Sequence, residues 1–67
     1  MLNYKIEADG LHLTDDHGNH AGWIVREAFG RWTVAMDIPG YEPVAYGDLD
    51  AAKYRALADF MEAARNG

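Results

Sequence analysis

The hydrophobic period of this chain changes once. Up to Ile38, large apolar residues fall at every second position: Tyr4, Ile6 and Ala8 alternate with Lys5, Glu7 and Asp9, and Trp32, Val34, Met36 and Ile38 alternate with Thr33, Ala35 and Asp37. Successive side chains of a strand point to opposite faces, so this is the pattern of half-buried β-strands. From Leu49 the spacing becomes helical. Leu49, Ala52, Ala56, Leu57, Phe60 and Ala64 lie on one stripe, with Asp50, Lys53, Asp59 and Glu62 away from it. A chain with this single change is expected to fold as an α+β unit: an antiparallel sheet of three to five short strands, built from β-hairpins, followed by one C-terminal amphipathic helix packed on one face.

The turns divide the strand region. Asp9-Gly10 is a turn dipeptide before Leu11-His12-Leu13, and Asp15-Asp16-His17-Gly18-Asn19 is rich in residues that bond their own main chain or tolerate a left-handed backbone. The β-rich runs 22–27 and 31–38 are separated by Ala28-Phe29-Gly30, where Gly30 can take positive φ. Two registers are open at this hairpin. A two-residue Phe29-Gly30 turn pairs Val25 with Val34 and buries Trp23, whereas a three-residue loop with a bulge at Gly30 pairs Ile24 with Val34 and leaves Trp23 on the other face. Pro39-Gly40 and Pro43 then bend the chain, Val44-Ala45-Tyr46 can form a short edge strand, and Gly47-Asp48 ends the β region. Asp48 or Asp50 caps the helix, and Arg65 with Asn66-Gly67 makes its stop.

Sixty-seven residues form one domain, 1–67, with one core. There is no cysteine, hence no disulfide, thiolate nucleophile or Cys-based metal centre. Eleven acidic side chains against six basic ones give a net charge of -5, with the excess in both halves of the chain. That balance argues against direct nucleic-acid binding, which depends on Lys and Arg neutralising phosphates, and favours a basic protein partner. The run Trp23-Ile24-Val25 is far too short for a membrane helix and the first residues hold no signal-peptide apolar stretch, so the reading is a cytoplasmic protein with no membrane partner.

The stretch 30–41, from Gly30-Arg31-Trp32 through Asp37-Ile38-Pro39-Gly40-Tyr41, followed by Gly47-Asp48-Leu49-Asp50-Ala51-Ala52, resembles HicB-type antitoxins. In that family a strand ends in an acidic-aliphatic-Pro-Gly turn, a short strand follows, and a Gly-Asp leads into a helix. The resemblance covers residues 30–64. It implies a sheet-plus-helix fold related to a reduced ribonuclease-H-like unit, and neutralisation of a small basic RNA-cleaving toxin by direct binding. Ala51 stands where the family usually has an acidic residue, and Tyr41 where cysteine is frequent.

Catalytic chemistry finds little to work with. Serine is absent, neither a nucleophile elbow nor a phosphate-binding loop exists, and eleven carboxylates make some close pair inevitable without marking one as an acid/base pair. His12, His17 and His20 around Asp15 and Asp16 hold metal-ligand residue types, but their spacing matches no metal motif; they are read as turn and surface residues. No cofactor is implied.

The reading is therefore a non-enzymatic binding protein that inhibits or regulates a basic protein, with an antitoxin as its leading form. A phage-encoded inhibitor, of the anti-CRISPR or DNA-mimic type, is the alternative, and a metal-dependent enzyme comes third. The candidate contact surface is the proline bend, with Tyr41 and Tyr46 as aromatic anchors and Glu42 and Asp48 as charges. A second is the helix stripe Tyr54, Ala58 and Met61, suited to a partner helix or a homodimer.

Overall fold

The computed structural model describes residues 1–66. Five strands, β1 (Asn3–Glu7), β2 (Gly10–Thr14), β3 (His20–Arg26), β4 (Trp32–Met36) and β5 (Val44–Tyr46), precede one helix, α1 (Leu49–Asn66). They form a single antiparallel sheet in the order β1-β2-β3-β4-β5, so each strand pairs with its neighbours in sequence. Gly67, the end of the expected helix stop, lies outside the described residues.

The period-2 pattern sorts the side chains. One face carries Tyr4 from β1, Leu11 and Leu13 from β2, Gly22 and Ile24 from β3, and Val34 and Met36 from β4, aligned across the sheet by the pairs Leu11–Ile24, Ile24–Val34 and Val34–Val44. Leu13, Ile24 and Val34 are fully buried there under α1. Burial of each such side chain stabilises the fold by about 1.5–3 kcal/mol. The helix buries Ala52 and Ala56, one turn apart, and their small side chains let its backbone lie close to the sheet. Leu49, Leu57 and Phe60 pack around this contact. Ala64 is exposed and Ala63 is half-buried instead, so the buried stripe drifts by one residue in the last turns.

Two glycines are fixed by close approaches. A Cβ on Gly22 would stand 2.7 Å from the Ala35 carbonyl oxygen and 3.0 Å from the Met36 sulfur, so its bareness makes the space Met36 fills. Gly10, at φ +147°, begins β2 with the Ile24 carbonyl oxygen 2.0 Å from where a Cβ would be.

The β3–β4 connection settles the register of Trp23. Phe29 (φ +62°) and Gly30 (φ +72°) are both left-handed, as a two-residue turn requires, and the Arg31 amide donates to the Ala28 carbonyl at 3.4 Å. The Glu27 amide, however, donates to the Arg31 carbonyl at 2.7 Å, which leaves Ala28 as an extra residue on the β3 side. That residue moves the ladder by one position. Ile24 pairs with Val34, and Trp23, opposite Ala35, faces away from the helix.

At the bend, the Tyr41 amide donates to the Ile38 carbonyl at 3.0 Å around Pro39 and Gly40 (φ +76°). Proline then glycine at the two central positions is the chemistry of a type II turn. Asp48 caps the helix: its Oδ2 accepts the Ala51 amide at 3.3 Å while its carbonyl accepts the Ala52 amide.

Candidate functional site

The bend and the helix are tied together by a chain of side-chain hydrogen bonds. The Tyr41 hydroxyl donates to Asp59 Oδ2 at 2.6 Å, Arg55 Nε donates to the same oxygen at 2.8 Å, and Arg55 Nη1 donates to the Tyr46 hydroxyl at 3.2 Å. Burial, then the hydrogen bond to the Asp59 carboxylate, push the Tyr41 phenol up to about 12. The bond to Asp59 also raises the Arg55 guanidinium above its ordinary value, so the cation is permanent. Both tyrosines are half-buried, with their hydroxyls turned to the helix. Of the four residues expected at the bend surface, Glu42 and Asp48 are exposed, and Asp48 also serves as the helix cap.

The helix stripe lies open: Tyr54 is 79% exposed and Met61 60%, with Ala58 exposed between them. Of the two candidate surfaces, the structure brings Tyr46 of the bend beside Tyr54 and Ala58 of the stripe, while Tyr41, Glu42, Asp48 and Met61 lie outside this contact. Tyr46 from β5 and Asp50, Ala51, Tyr54, Arg55 and Ala58 from α1 line one shallow apolar depression. Its walls are two tyrosine rings and its charged groups are one carboxylate and one guanidinium, the latter already engaged by Asp59.

The face of the sheet opposite the helix carries a second cluster. His12 and His20 approach at 2.9 Å between Nε2 and Nδ1, and His12 stacks on Trp23 with ring centroids 4.3 Å apart and planes 25° apart. A hydrogen bond between two ring nitrogens uses one as donor and one as acceptor. His17 is not part of it. Its amide donates to Asp15 Oδ1, as does that of Asn19, and these bonds, with the one from Asn19 the largest influence, hold the Asp15 carboxyl below the usual carboxylate range. Among the described residues no group of three or more His, Cys, Asp or Glu side chains is placed to hold a metal ion.

Phe29 is the feature that residue-by-residue reading passes over. It is 99% exposed at the tip of the β3–β4 connection and holds a left-handed backbone that a bulky side chain rarely adopts. The signal was present in the Phe-Gly dipeptide, since a turn of that kind needs positive φ at both positions.

The carboxylates are on the surface. Among the described residues no polar or charged side chain is buried. Among the described residues three acidic side chains form ion pairs, Asp16 with the N-terminal amine, Glu7 with Lys5 and Asp59 with Arg55, and the other eight have no cationic partner at ion-pair distance. No helix among the described residues is long and apolar enough to cross a membrane.

Comparison with known protein families, with characterised proteins and with solved structures gave no match to this chain.

Proposed function

We propose that this chain is a small acidic, non-enzymatic binding protein that acts in the cytoplasm and inhibits or regulates a basic protein by occupying its surface, in the manner of an antitoxin. The observation that carries the reading is the depression in which Tyr46, Asp50, Tyr54 and Ala58 meet, with Arg55 beside them held by Asp59. Tyrosine supplies a large contact area at small entropic cost, and a carboxylate beside it gives a cationic side chain a place to land. The surplus of unpaired surface carboxylates supports the same reading, because it attracts a basic partner over a distance before contact.

The test separates encounter from residence. A tagged chain is used to retrieve its partner from cells, and the purified pair is followed by rapid-mixing or surface kinetics. Asp50→Lys with Glu42→Lys should lower the association rate and flatten its salt dependence, since exposed charge acts mainly on encounter. Tyr54→Ala should raise the dissociation rate by about 30-fold, a hot-spot cost of about 2 kcal/mol. Tyr54 is the better probe than Tyr41, because its exposed ring can be removed without breaking the network that holds the bend. An acidic partner, or unchanged rates in these folded variants, would refute the proposal.

A further inference from the structure

The two outer strands of the sheet differ in how well they are protected. β5 has three residues and follows directly on Pro43, whose nitrogen carries no hydrogen to offer another strand. β1 has five residues, Asn-Tyr-Lys-Ile-Glu, with neither proline nor glycine. Its free edge presents backbone donors and acceptors that a further strand can pair with. Ile6 belongs by alternation to the helix-covered face, opposite Leu11, yet it is 85% exposed.

A lysine in the middle of an edge strand is a common deterrent to pairing, and Lys5 sits there. Glu7 stands two residues on, along the same face, 3.9 Å from the Lys5 ammonium, with Ile6 between them on the other face. The order Lys-Ile-Glu is self-complementary in an antiparallel pair. With a twofold axis normal to the sheet at Ile6, Lys5 of each copy lies opposite Glu7 of the other, and Ile6 lies opposite Ile6. Moving the axis to Lys5 opposes two lysines, and moving it to Glu7 opposes two glutamates, so the face-preserving registers on either side carry like charges. A shift by one residue would set the apolar face of one copy beside the charged face of the other.

We propose that β1 pairs with β1 of a second copy of this chain about a twofold axis at Ile6, joining two five-stranded sheets into one, with both helices on the same side. The pairing is isologous, so it closes at two copies. It covers the exposed Ile6 side chains with each other and removes the better of the two free edges. The surface proposed for the basic partner lies on β5 and α1, at the other side of the sheet, and stays available in the dimer.

Sedimentation equilibrium of the full chain across a wide concentration range should show a reversible monomer–dimer equilibrium. Lys5→Glu and Glu7→Lys should each weaken it by about tenfold or more, because each turns two opposed pairs from attraction to repulsion. The exchange Lys5→Glu/Glu7→Lys restores opposite charges in the same register and should bring the affinity back to within about threefold of the parent. Both positions are on the surface, and circular dichroism checks that each variant is folded. A chain that stays monomeric at every concentration overturns the proposal. So does a dimer indifferent to both single changes, a double exchange that fails to restore it, or a dimer abolished by Tyr54→Asp, which would place the contact on the helix.

Discussion

Removing the phenyl ring of Phe29 in favour of glycine should make the protein more stable. Phe29 holds φ +62° and ψ +31°, and its side chain is 99% exposed. A left-handed conformation costs an L-residue about 1–2 kcal/mol. A ring that stays in water regains almost none of this through burial. Glycine gives up about 0.5–1 kcal/mol more backbone entropy on folding, which leaves a net gain for Phe29→Gly of about 0.5–1 kcal/mol. In a domain of this size 1 kcal/mol moves Tm by about 4–8 °C, so thermal unfolding followed by far-ultraviolet circular dichroism should show a rise of about 2–8 °C. Phe29→Ala is the control, since it removes the ring but keeps the Cβ and the strain; its Tm should stay within about 2 °C of the parent. A lower Tm for Phe29→Gly would refute the reasoning, because the strain relieved would then be smaller than the entropy glycine loses together with anything the ring contributes, and Phe29→Ala measures the ring separately.

Gly10→Ala should be severely destabilising, by about 3 kcal/mol or more in urea unfolding, because its Cβ would lie 2.0 Å from a backbone oxygen at φ +147°; a variant as stable as the parent would show that β2 does not begin in this conformation. The Tyr41 phenol, raised from an ordinary value of 10 to about 12 in the folded chain, stabilises the fold fully below pH 10 and loses that contribution as pH rises through about 12. The Tm difference between the parent and Tyr41→Phe should therefore shrink across that window, and a difference constant with pH would show that burial and the bond to Asp59 do not hold this phenol up.

Much of the architecture could be read from period and turn chemistry. The alternation Trp32, Val34, Met36 marks the inner face of β4, the stripe through Ala52 and Ala56 marks the buried side of α1, and Asp48 caps where its position suggests. Trp23 could not be placed, because its face depends on whether Ala28 counts as strand or loop, and a single hydrogen bond from Glu27 to Arg31 decides it. Ile6 obeys its alternation but sits at the sheet margin beyond the helix, and periodicity gives a residue's face without its distance from the centre of the sheet. The tyrosines of the bend show another limit. Their type fits a contact surface equally well or a packed corner, and only the positions of Arg55 and Asp59 reveal that their hydroxyls hold the corner closed. The pairing of His12 with His20 depends on the β2–β3 register, which carries an irregularity between Leu13 and Thr14 that no residue pattern announces.

The neighbour-to-neighbour order of the sheet determines how the molecule can come into being. Since every strand pairs with the one made just before it, the sheet can zip from its first hairpin onward without waiting for a distant segment, and such local connectivity favours folding within milliseconds. The helix comes after all five strands. Before residues 49–66 are in place, nothing in the fold covers Leu13, Ile24 and Val34. Until the helix docks, that apolar face stays open to other chains, so a chain cut short before Leu49 should aggregate or be degraded more readily than one that carries the helix.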